Sequence, residues 1–208
     1  MKTLLVKYTP RNERSNTKKL LDTFREKIKN SDIEELDLST DVPDLFLAES
    51  LAAYIQRNYL GQDLSHNQKN LLSKMDRMTN QIKSANVVAI AYPMNNFSMP
   101  APVKAWFDSI MLKGETWDTK NGSYVGLMNG KKALAMVSSG GVYSKEPMTS
   151  WEHALSLAKL EFQFMGYSDV RGILAEGMNA SDELRSDNLK KSIEQIKSIA
   201  QEWYGKKN

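Results

Sequence analysis

Short runs of apolar and β-branched residues alternate along the chain with longer segments whose apolar positions recur every three or four residues. The first pattern predicts strands and the second amphipathic helices. Five strands are predicted, at about Thr3–Tyr8, Ile33–Asp37, Val87–Tyr92, Lys132–Ser138 and Asp169–Leu174. Several are apolar without interruption, so the sheet they form has no wet face and needs helices on both sides.

The helices fall between the strands. One from Ser15 to Lys29 puts Leu21, Phe24 and Ile28 on a single stripe, and one from Asn67 to Lys83 does the same with Leu71, Met75, Met78 and Ile82. Pro102 opens a third in its first turn, ahead of Val103, Trp106, Phe107 and Ile110. A fourth is predicted from Trp151 to Met165. The last starts behind Ser181 as N-cap, carries Leu189, Ile193, Ile196, Ala200 and Trp203 inward, and stops at Gly205. The stretch from Asp41 to Ser65 reads as a helical excursion between the second strand and its helix. No repeat or linker divides the chain, so residues 1–208 are expected to form a single domain. Strands joined by right-handed helical crossovers give an α/β three-layer sandwich with a five-stranded parallel sheet of order 2-1-3-4-5. In such sheets ligands bind beyond the carboxyl ends of strands 1, 3 and 4, where the strand order reverses.

Composition narrows the chemistry. The 208 residues are 41% hydrophobic and 25% charged, enough apolar content for a packed core, and include no cysteine. Disulfides, thiolate metal sites, Fe–S clusters and catalytic thiols are thereby excluded, and redox chemistry would need a cofactor. The net charge of +3 is spread among acidic neighbours, which argues against nucleic acid as partner. No apolar run is long enough to span a membrane, and Lys2 leads directly into a strand with no cleavage pattern, so a cytoplasmic protein is expected. The Asn-x-Ser stretches at Asn96, Asn121 and Asn179 are read as having no role in such a compartment. No metal-ligand spacing is present.

The three strand ends singled out by topology carry unusual loops. After the first come Thr9, Pro10, Arg11, Asn12, Glu13, Arg14, Ser15, Asn16 and Thr17, hydroxyls and N–H groups at a helix N-terminus that suit a phosphate dianion, with Arg11 or Arg14 to add charge. Ser15 also reads simply as a helix cap. Neither Gly-x-Gly-x-x-Gly nor Gly-Lys-Ser/Thr is present, so a monophosphate fits better than a dinucleotide or a triphosphate. After the third strand, Pro93, Met94, Asn95, Asn96, Phe97 and Ser98 lead to Pro100 and Pro102, a stiff loop that can border a flat heterocycle or serve only as a connector. After the fourth, Ser138, Ser139, Gly140, Gly141, Val142 and Tyr143 allow close backbone approach to a ligand.

These residues resemble the FMN-dependent NADH:quinone oxidoreductases and azoreductases. The resemblance is carried by Pro93–Ser98 running on through Ala101-Pro102 to Lys104-Ala105-Trp106-Phe107-Asp108. Gly114-Glu115-Thr116-Trp117, Ser138–Gly141 and Ala175-Glu176-Gly177 follow in family order. It implies a flavodoxin-like fold, a homodimer, bound FMN, and NADH or NADPH as donor. The implied reaction is two-electron hydride transfer through the flavin, in a ping-pong cycle, to a small-molecule quinone or azo acceptor, with no catalytic side chain. It implies that Thr9, Ser15, Asn16 and Thr17, with Arg11 nearby, hold the phosphate. Pro93, Met94, Asn95, Asn96 and Phe97 would border the ring, with main-chain N–H groups near N5, and Ser138, Ser139, Gly140 and Gly141 would meet its pyrimidine end. Trp117 and Tyr143 are candidate acceptor contacts, Trp117 reading equally as a loop anchor. Tyr54, Tyr59 and Trp117 are candidate cross-subunit contributors. Asn95 stands where the family often has Tyr, and Ser139 where it often has Arg, which bears on acceptor range rather than on flavin binding. His66 and His153 read as surface helix residues. The alternative reading is a non-enzymatic flavodoxin-type electron carrier, and a phosphopantetheine-ester hydrolase is disfavoured because the loops hold no group to activate water.

Overall fold

A computed structural model describes residues 1–205. Strands β1 (Lys2–Lys7), β2 (Asp32–Asp37) and β3 (Val87–Pro93) are joined through helices α1 (Asn16–Lys27), α2 (Ala48–Asn58) and α3 (His66–Ser84). Helix α4 (Ala101–Ile110) follows, then a hairpin of β4 (Trp117–Lys120) and β5 (Ser123–Gly126). The chain ends with β6 (Lys132–Ser138), α5 (Leu155–Phe164), β7 (Asp169–Ala175) and α6 (Asp182–Tyr204).

The main sheet has the order β2-β1-β3-β6-β7, all parallel, which is the predicted 2-1-3-4-5 arrangement with the hairpin set aside. Alternate residues of each central strand feed opposite layers. Leu4, Val6, Val88, Ile90, Ala133 and Ala135 meet the helices α3, α4 and α5, whereas Leu5, Ala89, Leu134 and Met136 meet α1 and α6. Both layers are buried, which explains why these strands read as unbroken apolar runs. Among the described residues, no helix is long and apolar enough to cross a membrane.

Four expectations need correction. The β4–β5 hairpin was not among the five predicted strands. It turns on Asn121 (φ 52°) and Gly122 (φ 78°), the left-handed pair that a two-residue hairpin turn requires. Helix α5 begins at Leu155 rather than Trp151, because the Glu152 carboxylate accepts the N–H groups of Leu155 (2.6 Å) and Ser156 (3.0 Å) and so caps the helix there. His153 therefore lies in a connector, its N–H donating to the Phe97 carbonyl at 2.9 Å. In α3 the inward stripe is Leu72, Met75, Thr79 and Ile82, joined by Met78, while Leu71 faces solvent.

Candidate functional site

The carboxyl ends of β1, β3 and β6 open onto one cleft of about 260 Å³, lined by residues from all three predicted loops and from the loop after β7. Larger concavities exist, such as one of about 410 Å³ beside Met1 and Trp203, but that one sits at the opposite, amino end of the strands.

At the β1 end, Ser15 caps α1, its Oγ accepting the Lys18 N–H at 3.2 Å. The cap reading of Ser15 therefore holds, and it is compatible with a ligand because capping leaves the next two donors free. Among the described residues, the N–H groups of Asn16 and Thr17 have no acceptor, so the positive end of the helix dipole opens into the cleft. Arg11 lines the mouth and, among the described residues, makes no ion pair; Arg14 is exposed and does not line the cleft. Thr9 is buried beneath, its carbonyl taking the Asn12 N–H at 2.9 Å. The Thr17 and Ser138 hydroxyls meet at 2.6 Å and tie the first turn of α1 to the end of β6.

The β3 loop holds its donors differently from the expectation. Met94 N–H bonds to the Ser138 carbonyl (2.8 Å), extending the sheet register. Asn95 and Ser98 exchange N–H to carbonyl bonds at 2.9 and 3.0 Å around a tight turn in which Asn96 (φ 46°) and Phe97 (φ 71°) are left-handed. Met94 and Asn95 thus spend their N–H groups inside the protein. Among the described residues it is Asn96 and Phe97 whose N–H groups stay open. Pro93, Met94 and Asn95 line the cleft, whereas Asn96 and Phe97, next along the loop, are exposed and do not line it.

After β6, Ser139 is buried, with its N–H on the Ala175 carbonyl and its Oγ donating to Gly141 O at 3.0 Å. Among the described residues, the N–H groups of Gly140 and Gly141 have no acceptor. Gly140 packs closely on the loop after β7: a Cβ there would stand 2.4 Å from Asn179 Nδ2, and the Asn179 amide would have to swing aside. Met178 and Asn179, absent from the sequence-based set, line the cleft because their N–H groups bond to Ser139 O (2.9 Å) and Gly140 O (3.0 Å). The signal was available, since the loop after β7 also leaves the carboxyl edge of the sheet. The Glu176 carboxylate accepts the N–H groups of Tyr143 (2.7 Å) and Ser144 (2.9 Å), pinning the β6 loop to β7.

Trp117 is not brought to this cleft. Its Nε1 donates to Met111 O at 3.0 Å, and its ring packs against Tyr124 and Phe164 in a separate cavity of about 460 Å³. The loop-anchor reading describes it. That cavity also holds Lys104, Asp108 and Glu161. Glu161 is buried, which pushes its carboxyl up to about 7 despite Lys104 nearby at 3.6 Å, and its Oε2 has no hydrogen-bond partner. Tyr54 is buried with its OH accepting the Lys113 N–H, while Tyr59 is half exposed. His66 and His153 are exposed and line neither cavity. Among the described residues, no three His, Cys, Asp or Glu side chains gather as a metal site.

A family model described as "Flavodoxin-like fold" matches residues 1–200. The chain is 29% identical over 207 residues to FMN-dependent NADH:quinone oxidoreductase 1 of Bacillus anthracis, covering 95% of this chain and 94% of that protein. It is 34% identical over 125 residues to the FMN-dependent NADH:quinone oxidoreductase of Legionella pneumophila, a match spanning 60% of this chain and 61% of that protein. Among solved structures, it superposes on the FMN-dependent NADH-azoreductase of Bacillus anthracis in complex with FMN. That match has a TM-score of 0.87 at 28% identity and covers 98% of this chain and 99% of the other.

Proposed function

The chain belongs to the flavodoxin-like fold family, and from that membership we propose that it is an FMN-dependent oxidoreductase passing electrons from NADH or NADPH to quinones or azo compounds. The observation that carries this reading is one cleft at the point where strand order reverses, lined by Asn16, Thr17 and Gly140 with open backbone donors, while the open donors of Asn96, Phe97 and Gly141 lie on the loop residues next to its lining.

The residues present fit FMN. A dianionic phosphate matches the open N-terminus of α1 with unpaired Arg11 at its mouth. The Gly140–Gly141 backbone and the Asn96–Phe97 turn match the donor-poor edges of a flat heterocycle. FMN, when bound, supplies the two-electron chemistry, accepting from the nicotinamide and giving to the acceptor in turn. The protein contributes orientation and electrostatics: fixed N–H donors stabilise negative charge gained on reduction without reorganising. Met94 and Met178 give the cleft an apolar wall. No side chain in the cleft is called on as acid or base.

The relatives' names support quinone and azo acceptors for this chain. Residues 1–208 act as one FMN-binding domain, in the cytoplasm, and pair as a homodimer. Exposed Leu47, Leu51, Ile55 and Tyr59, spaced four residues apart along α2, and the outward-facing Tyr124 and Leu160 supply apolar surface for that pairing. Tyr59 is the contributor across it, since Tyr54 is taken up internally and Trp117 anchors its own loop.

The test is the absorption spectrum of the purified protein, followed by anaerobic NADH and then menadione. Flavin bands that bleach and return support the reading. A colourless protein that takes up no FMN overturns it, and flavin reduced only by a flavoprotein reductase, with no NADH turnover, assigns the carrier role instead.

A further inference from the structure

Three aromatic rings stand edge to face on the segments that follow β3 and β6, beside the residues that line the cleft. Tyr143 lies 6.3 Å from Phe97 at an interplanar angle of 76°, and Phe97 lies 5.5 Å from Trp151 at 78°. We propose that Trp151 is a specificity-determining residue of the acceptor site: it completes a shelf on which flat aromatic acceptors stack beside the flavin cleft. The inference rests on the function proposed above.

The shelf adjoins two loops that line the cleft, through Asn95 beside Phe97's turn and through Gly140. Tyr143 packs against the Gly140–Gly141 wall, its Cε2 lying 3.2 Å from where a Cβ on Gly141 would be. Phe97 and Trp151 nevertheless leave 43% and 48% of their surface open. Single exposed aromatics are ordinary, but adjoining ones beside a concave site mark a binding surface.

The turn itself does not explain Phe97. A left-handed residue at φ 71° is served best by Gly or Asn, and a bulky side chain there is disfavoured. The ring is retained against that preference, and what it touches is Tyr143 on one side and Trp151 on the other. Trp151 in turn sits in a short 3-10 turn, Met148–Trp151, that buries no residue, so its indole does not serve the core.

The support is fixed on both sides. The His153 N–H donates to Phe97 O, tying the Trp151 segment to the turn, and Glu176 holds the Tyr143 and Ser144 N–H groups. Such preorganised aromatic surface favours a flat, apolar occupant, because stacking then costs little ordering.

The experiment compares wild type with Trp151→Ala and Trp151→Phe, each loaded with FMN, using menadione and methyl red as aromatic acceptors and ferricyanide as a non-aromatic one. In Trp151→Ala the ratio of kcat/KM for menadione to that for ferricyanide is expected to fall roughly three- to tenfold, the size of one lost edge-to-face contact. The loss should lie in KM, and Trp151→Phe should recover most of it. An unchanged ratio in flavin-loaded Trp151→Ala overturns the inference alone. Loss of FMN affinity in that variant overturns it by assigning the shelf to the flavin, and a dimer that dissociates assigns it to a second copy of the chain. A wild type that binds no FMN overturns both this inference and the function it rests on.

Discussion

Glu161 should make the protein less stable as pH rises through neutrality, and Glu161→Gln should remove that dependence. The carboxyl is buried in α5, is raised from 4.5 to about 7 chiefly by burial, and has an oxygen without a partner. Lys104 pulls the other way, but it is hydrogen-bonded to Asp108, whose own charge pushes Glu161 further up. Because the folded state holds this proton more tightly than the unfolded chain, the fold is favoured most below the unfolded value. Stability is then lost as pH climbs from 4.5 to about 7, and the loss is complete above that. At about 1.36 kcal/mol per pH unit the full difference is roughly 3 kcal/mol. Glutamine copies the neutral form in shape and charge. It should match wild type near pH 4.5 and exceed it at pH 8 by roughly 2–3 kcal/mol, or about 5–10 °C in Tm for a chain of this size. Thermal melts of both proteins at several values between about pH 5 and pH 8 make the comparison, with all other carboxylates common to the pair. A variant that is less stable than wild type at the alkaline end would refute the reasoning, since it would mean that Glu161 is ionised and held by Lys104 throughout.

Other sites give sharper local tests. Gly126→Ala would place a Cβ 2.3 Å from the Gly166 backbone N, where nothing flexible can yield, so chemical denaturation should show a loss of more than about 2 kcal/mol. Phe97→Gly and Phe97→Ala lose the same ring contacts, yet only Gly relieves the left-handed strain; urea melts should find Gly the more stable by about 1 kcal/mol, and equal stabilities would remove the strain argument. Thr17→Val and Ser138→Ala each break the buried hydroxyl pair, and a double-mutant cycle should return a coupling of about 1 kcal/mol, against zero if the two act apart.

The parts of the fold legible in sequence were those where one requirement dominates. Central strands buried on both faces must be apolar throughout, so β1, β3 and β6 announced themselves, and so did their parallel order. The hairpin did not, although Asn121-Gly122 is a strong turn signal, because its strands are only four residues long and half of their residues are polar. The one-residue phase error in α3 arose at adjacent leucines, where Leu71 and Leu72 both fit a period near 3.6 until packing decides between them. Trp151 prolonged the period of α5 backward, and the carboxylate of Glu152 ended it one turn later. The loops of the site could be located by topology, but not which of their N–H groups stay open. That depends on register bonds such as Met94 to Ser138, which side-chain identity does not encode.

That dependence on backbone explains how the site accommodates its departures from the family pattern. Asn95 and Ser139 stand where the family resemblance expects larger side chains, yet the open donors nearest them belong to Asn96, Phe97, Gly140 and Gly141, whose positions are set by the turn and the sheet edge. Cofactor binding built from main-chain groups tolerates substitution as long as the turn geometry survives. The aromatic shelf proposed above has no such protection, because it depends on the rings of Phe97, Tyr143 and Trp151, which nothing in the backbone can replace. On the proposed function, flavin affinity falls to main-chain atoms and acceptor preference to rings, and at Phe97 both fall within one residue: its open N–H serves the first and its ring the second. Substitutions that keep the turn but change the ring should move acceptor preference while flavin affinity stays put, whereas substitutions that spoil the turn should damage both together.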